Sequence, residues 1–130
     1  MGYDAIPAEL NLLSNKIIGL AIKVHSNLGP GLLESTYKEC LFYEINKAGL
    51  KVVKESPLPL IYETIKLDLG FRVDLIVEAK LIVEIKAIEA LADIHTAQIL
   101  TYFKLSECRL GLLMNFNVLL FKKGIKRFVR

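Results

Sequence analysis

The spacing of apolar residues changes at Gly49, and this change limits the possible folds more than any other feature of the chain. Before it, Leu10, Leu13, Ile17, Leu20, Ala21, Val24 and Leu28 follow the helical period of three and four. That spacing predicts a helix over about residues 7–28. Gly29-Pro30-Gly31 interrupts it, because proline disfavours helix at the residue before it and glycine frees the turn. A second helix is expected over about 32–48, with Leu33, Tyr37, Cys40, Leu41, Ile45 and Ala48 along its inner side and Gly49 as its stop.

Beyond Gly49 the pattern is that of strands. Residues 51–55 and 58–62 read as short strands, with Pro57 and Pro59 marking an edge or irregular pairing. Residues 71–77 and 81–88 are rich in β-branched side chains, and Glu78-Ala79-Lys80 between them suits a tight hairpin. Helical spacing returns over 90–105, and 110–116 is a continuous apolar run, expected as a strand buried on both faces. Residues 118–121 and 125–129 fit either a last strand or a strand with a short helix. This order predicts an α/β fold: a central mixed sheet flanked by helices, with two helices at the N-terminal end.

Size and composition fit one domain over 1–130. The 130 residues are 53% hydrophobic and 24% charged, which supports a filled core rather than disorder. A net charge of +3 permits a polyanionic partner without demonstrating one. The densest basic cluster, Lys122, Lys123, Lys126, Arg127 and Arg130, fits a solvated face or a phosphate-contacting edge equally well. Cys40 and Cys108 lack any CxxC or Cys/His spacing, so reduced thiols are expected rather than zinc or a disulfide. No charged-then-apolar leader is visible, and no apolar run approaches the roughly 20 residues of a membrane span, so a cytoplasmic protein is expected.

Charges inside the apolar strands carry the chemistry. Along Leu81-Ile82-Val83-Glu84-Ile85-Lys86 a period of two puts Glu84 and Lys86 on one face and Val83 and Ile85 on the other. Asp74 is similarly set among Val73, Leu75 and Ile76, and pairing of the two strands would lay it beside Glu84. An ordinary solvated or salt-bridged pair is one explanation. The other is that two neighbouring carboxylates, which repel when buried, are joined by a hard cation such as Mg²⁺ or Mn²⁺. Asp74 and Glu84, with the carbonyl of Ile85 as a further ligand, would then hold the ion that polarises a scissile phosphate, and Lys86 would orient water or stabilise developing charge. On the following helix His95, Gln98 and Tyr102 form one polar stripe that could meet a nucleic-acid backbone, or simply a half-exposed face. Glu34 opens the second helix, where the dipole favours an acid in any case, and His25 reads as a capping or core histidine.

Gly31-Leu32-Leu33-Glu34-Ser35-Thr36-Tyr37 matches a GxxExxY signature. With His25, Leu28 and Gly29 upstream, and Arg72-Val73-Asp74, Val83-Glu84-Ile85-Lys86, His95-x-x-Gln98 and Gly111-Leu112-Leu113-Met114-Asn115-Phe116 downstream, the chain resembles the GxxExxY protein family over about residues 10–129. That family is placed in the PD-(D/E)XK nuclease superfamily, so the resemblance implies a restriction-endonuclease-like core. Glu34, Asp74, Glu84, Lys86, Gln98 and Tyr102 resemble, in order and element type, the helix Glu, strand Asp, Glu-x-Lys and QxxxY helix of exonucleases related to lambda exonuclease. The resemblance implies Asp74 and Glu84 as metal ligands, Lys86 as the catalytic lysine, Glu34 as an assisting acid, and Gln98 and Tyr102 as substrate-holding or site-shaping groups. Val73 stands where a proline often precedes the Asp.

The resulting expectation is a Mg²⁺- or Mn²⁺-dependent nuclease hydrolysing phosphodiester bonds, of DNA in preference to RNA. The rival reading is a non-catalytic nucleic-acid-binding or regulatory module on the same fold. So small a core has little surface to grip a duplex, which favours a partner protein or a homodimer, and Leu12, Ile18 and Ile22 off the first helix's main stripe could form such a surface. A third reading is a purely structural domain with a Glu84–Lys86 salt bridge.

Overall fold

In the computed structural model, which describes residues 6–68 and 70–130, the helical period before Gly49 becomes α1 (Ala8–Leu28) and α2 (Glu34–Lys47). Leu10, Ile17, Ala21 and Val24 of α1 and Tyr37, Leu41 and Ile45 of α2 are buried together against one face of a sheet. Leu33 and Ala48, expected on the inner side of α2, instead flank it as its caps and are exposed. Between the helices, Gly29 (φ 69°) and Gly31 (φ 98°) adopt backbone that other residues avoid. Tyr37 latches this loop: its hydroxyl donates to the Gly29 carbonyl at 2.6 Å and accepts from the Leu32 N–H at 3.1 Å.

The sheet has strands β1 (Val52–Pro57), β4 (Arg72–Val77), β5 (Leu81–Lys86), β6 (Leu110–Asn115) and β7 (Ile125–Val129), in the order β1-β4-β5-β6-β7. Only β5 and β6 are parallel, and α3 (Asp93–Leu105) makes the crossover that parallel pairing requires. As the apolar run predicts, every residue of β6 is buried. Helices α1 and α2 cover one face and α3 the other, where Val73, Ile82, Ile99, Tyr102, Phe103, Cys108 and Leu113 form a second apolar cluster. Gly111 permits the close seat of α3, since a Cβ there would lie 3.1 Å from the Phe103 ring and 3.3 Å from Ile99.

The link between β4 and β5 is tight, as expected. Glu78 (φ 54°) and Ala79 (φ 55°) occupy it in left-handed conformations without glycine, and the Lys80 N–H closes it on the Val77 carbonyl at 3.0 Å. Between β1 and β4 lies a separate hairpin, β2 (Leu60–Tyr62) and β3 (Ile65–Leu67). The expected single strand over 58–62 omits β3, because three residues are too few to display a period. Near the C-terminus the choice left open resolves into a short 3₁₀ turn (Phe121–Gly124) followed by β7. His25 is a core group, stacked on Phe121 with its Nε2–H donating to the Val118 carbonyl at 2.7 Å.

The basic cluster divides by role. Arg127 bonds the side chains of Asn11 and Ser14, and Arg130 donates to the Phe103 and Ser106 carbonyls at the end of α3, whereas Lys122 and Lys123 are exposed. Cys40 and Cys108 are free thiols. Of the three residues proposed for a dimer surface, Ile18 packs against the core and only Leu12 and Ile22 are exposed. Among the described residues, no helix is long and apolar enough to cross a membrane.

Candidate metal centre

The site forms where β4 and β5 part. Backbone pairing runs through Val77↔Leu81, Ile76↔Ile82 and Leu75↔Val83 and then stops. At the next position carboxylates replace the ladder. Glu84 Oε1 accepts the Asp74 N–H at 2.8 Å, and Asp74 Oδ2 accepts the Ile85 N–H at 2.8 Å. Buried amides need partners, so each side chain fills a gap that the separating strands would otherwise leave.

Strand β4 also turns over at this point. Leu75 and Val77 pack with α1 and α2, yet Val73, which strict alternation would place beside them, packs with the α3 cluster. On the neighbouring strand the pairing passes from Lys54↔Leu75 to Ser56↔Val73, skipping Glu55, whose φ is 53°. Asp74 therefore sits at a kink, within reach of groups on both faces of the sheet.

The remaining carboxylate oxygens each face an ammonium. Lys86 Nζ lies 3.6 Å from Glu84 Oε2, and Lys38 Nζ, reaching from α2, lies 3.9 Å from Asp74 Oδ1. In an extended strand the N–H and C=O of one residue point the same way, so the Ile85 carbonyl is directed into the same gap as its N–H. The Lys86 carbonyl, by contrast, accepts the Phe116 N–H at 2.9 Å on the β6 side.

Burial dominates the electrostatics. Glu84 is only 2% exposed, and burial, followed by the charge of Asp74, pushes its carboxyl up to about 8. Burial raises Asp74 as well, against the opposing effects of the Ile85 N–H, Lys38 and Lys86. Tyr102 on α3 is pushed up to about 12 by burial and then by Glu84 and Asp74, while its neighbour Gln98 acts in the opposite direction. Its hydroxyl donates to the Arg72 carbonyl at 3.2 Å, fixing the start of β4 to α3. Beside these residues opens a cleft of about 450 Å³ lined by Phe71, Lys86, Ile94, His95, Gln98 and Thr101. His95 Nδ1 accepts the Ala92 N–H at 2.9 Å, so this ring also caps α3.

The structure thus brings together Asp74, Glu84, Ile85 and Lys86, with Gln98 and Tyr102 on the adjoining helix. Glu34 does not join them: it is exposed at the head of α2, and among the described residues no three His, Cys, Asp or Glu side chains form a group. The member that sequence reasoning misses is Lys38. It follows the buried Tyr37 on an ordinary amphipathic helix, so no period or motif marks it out. Two carboxylates and a carbonyl, all hard oxygen donors, suit Mg²⁺ or Mn²⁺, which complete their shells with water.

A mixed five-stranded sheet covered by helices on both faces, with a carboxylate pair and a lysine where two central strands part, has the restriction-endonuclease-like architecture. The family model described as PD-(D/E)XK nuclease superfamily matches residues 11–128, and the chain belongs to that superfamily. Comparison with curated proteins and with solved structures gives no match.

Proposed function

We propose that the chain is a metal-dependent phosphodiester hydrolase cleaving nucleic acid, DNA in preference to RNA, and that within its superfamily it stands with the GxxExxY proteins. The observation that carries this reading is the reciprocal seating of Asp74 and Glu84 across the parted strands, with Lys86 3.6 Å from Glu84. Asp74, Glu84 and the Ile85 carbonyl would hold Mg²⁺ or Mn²⁺, which supplies Lewis-acid polarisation of the phosphate and acidifies water. The Asp74 and Ile85 amides hold both carboxylates in place beforehand, so little reorganisation is needed. Lys86, which also lines the cleft, would stabilise negative charge as it grows on the phosphate oxygens.

Gln98 and His95 line the same cleft and would receive the nucleic-acid backbone, while Tyr102 holds the cleft's wall in shape. The restriction-endonuclease-like fold is what favours DNA as substrate. The free thiols suit a reducing, cytoplasmic setting, and exposed Leu12 and Ile22 suit a homodimer or a partner protein.

Labelled single- and double-stranded DNA and RNA, incubated with and without Mn²⁺, provide the test. Cleavage should require the ion and should fall at least about a hundredfold in Glu84→Ala, the scale of losing a principal catalytic group. Equal cleavage by that variant and the wild type would sink the assignment. One observation favours a second reading, a nucleic-acid-binding or regulatory module without turnover: Lys38 and Lys86 already face both outer carboxylate oxygens. Salt-sensitive binding to DNA with no cleavage in Mn²⁺ would decide for it.

A further inference from the structure

Lys38 differs from Lys86 in how it is held. Lys86 comes from the strand that bears Glu84, two residues on, and among the described residues its one carboxylate partner in the site is Glu84, 3.6 Å away. Lys38 reaches the site on a flexible four-carbon stem from a separate helix, and its side chain is only 15% exposed. It lies between two acids at unequal distance: Glu55 Oε1 at 3.2 Å and Asp74 Oδ1 at 3.9 Å. Glu55 is the residue held at φ 53° opposite the kink in β4, a conformation that ordinary side chains avoid. Glu39, next in sequence to Lys38, is engaged elsewhere, with Lys54 at 2.6 Å. The ammonium already hydrogen-bonds Glu55, with Asp74 its more distant partner, so it can stay seated on Glu55 when Asp74 takes another cation.

We propose that Lys38, tethered by Glu55, is a resident cation of this centre that competes with the divalent ion for Asp74 and so sets how tightly the metal binds. This rests on Asp74 and Glu84 being the metal ligands. Lys38 is here a positioning residue: without metal it balances Asp74, and with metal it withdraws toward Glu55. Removing it should tighten metal binding and loosen the metal-free fold. Removing the tether should do the opposite to metal binding, because Lys38 then has only Asp74 to pair with.

The test is titration of Mn²⁺ into the full chain by calorimetry, together with thermal melting in chelator. Lys38→Met should bind Mn²⁺ about tenfold tighter than wild type, since a like charge close to the ion has gone, and should melt lower without metal. Lys38→Gln serves if the Met variant does not fold. Glu55→Gln should bind Mn²⁺ severalfold more weakly, and that effect should vanish in the Lys38→Met background if Glu55 acts through Lys38. A lower melting temperature with unchanged Mn²⁺ affinity in Lys38→Met, while wild-type binding still depends on Asp74, would overturn this proposal alone. Absence of Asp74-dependent Mn²⁺ binding in wild type and both variants would overturn it together with the metal-centre reading.

Discussion

Glu84 is nearly sealed from water beside a second carboxylate, so its protonation is tied to folding. Its carboxyl, raised by burial and by Asp74 from 4.5 to about 8, keeps its proton in the folded chain at pH values where the unfolded chain has lost it. Between those two values the folded state binds more protons, so stability falls as pH rises through that window; below it the contribution is fully present. Asp74, raised for the same reason, acts in the same direction. In chelator, the wild type is expected to lose several degrees of melting temperature between about pH 5 and pH 8 relative to Glu84→Gln. The glutamine keeps an acceptor for the Asp74 N–H and carries no charge. Scanning calorimetry of the pair across pH checks this, and parallel melting curves would refute it. Tyr37 shows the reverse case: the final letter of the GxxExxY signature latches a loop, and its hydroxyl is committed to Gly29 and Leu32.

Among the elements, α3 and the two parting strands determine whether the site is assembled. The helix carries Gln98 and Tyr102 and is seated by Gly111, whose missing side chain admits Phe103 and Ile99. Its far end is held by Arg130, which donates to the Phe103 and Ser106 carbonyls, where a cation also complements the helix dipole. Gly111→Val would force the Phe103 ring outward and lift α3 from β6. The expected cost is about 1–3 kcal/mol by denaturant titration, and if the proposed cleavage of nucleic acid uses Tyr102 and Gln98, turnover should fall further than stability alone explains because both move with the helix. Unchanged turnover in a variant destabilised to that degree would show that α3 does not shape the site. Strand β4 was legible as an element, yet its change of face at Asp74 was not. A strict period of two assumes a regular ladder without kinks, and the left-handed Glu55 opposite Asp74 breaks that assumption.

For the whole molecule, the proposed metal centre sets the acids Asp74 and Glu84 side by side in a largely water-excluded gap, and a divalent ion that binds only the folded chain should stabilise it. At a free Mn²⁺ concentration about 100 times the dissociation constant, the gain is about 2.7 kcal/mol, a rise in melting temperature on the order of 10 °C for a chain of this size. Chelator should reverse the rise, Asp74→Ala should abolish it, and it should be larger at pH 8 than at pH 5, where protons compete for Glu84. A melting temperature unaffected by Mn²⁺ at pH 8 would count against a metal centre.

The change of period at Gly49 was enough to place the helices, the central strands and the mixed α/β class, because side-chain period is a local property of the backbone. The same locality made Asp74, Glu84 and Lys86 conspicuous, as charges set among residues that otherwise belong in a core. The hairpin β2–β3 was too short to show a period, and the left-handed Glu78 and Ala79 turn lacks the glycine that would have announced its conformation. Tertiary structure alone decided where the β4–β5 ladder ends, that each carboxylate caps an amide across the gap, and that Lys38 and Glu55 stand behind Asp74 while Glu34 stands apart. Those facts depend on pairing between segments distant in the chain and on the twist that pairing imposes. No spacing within one segment encodes them.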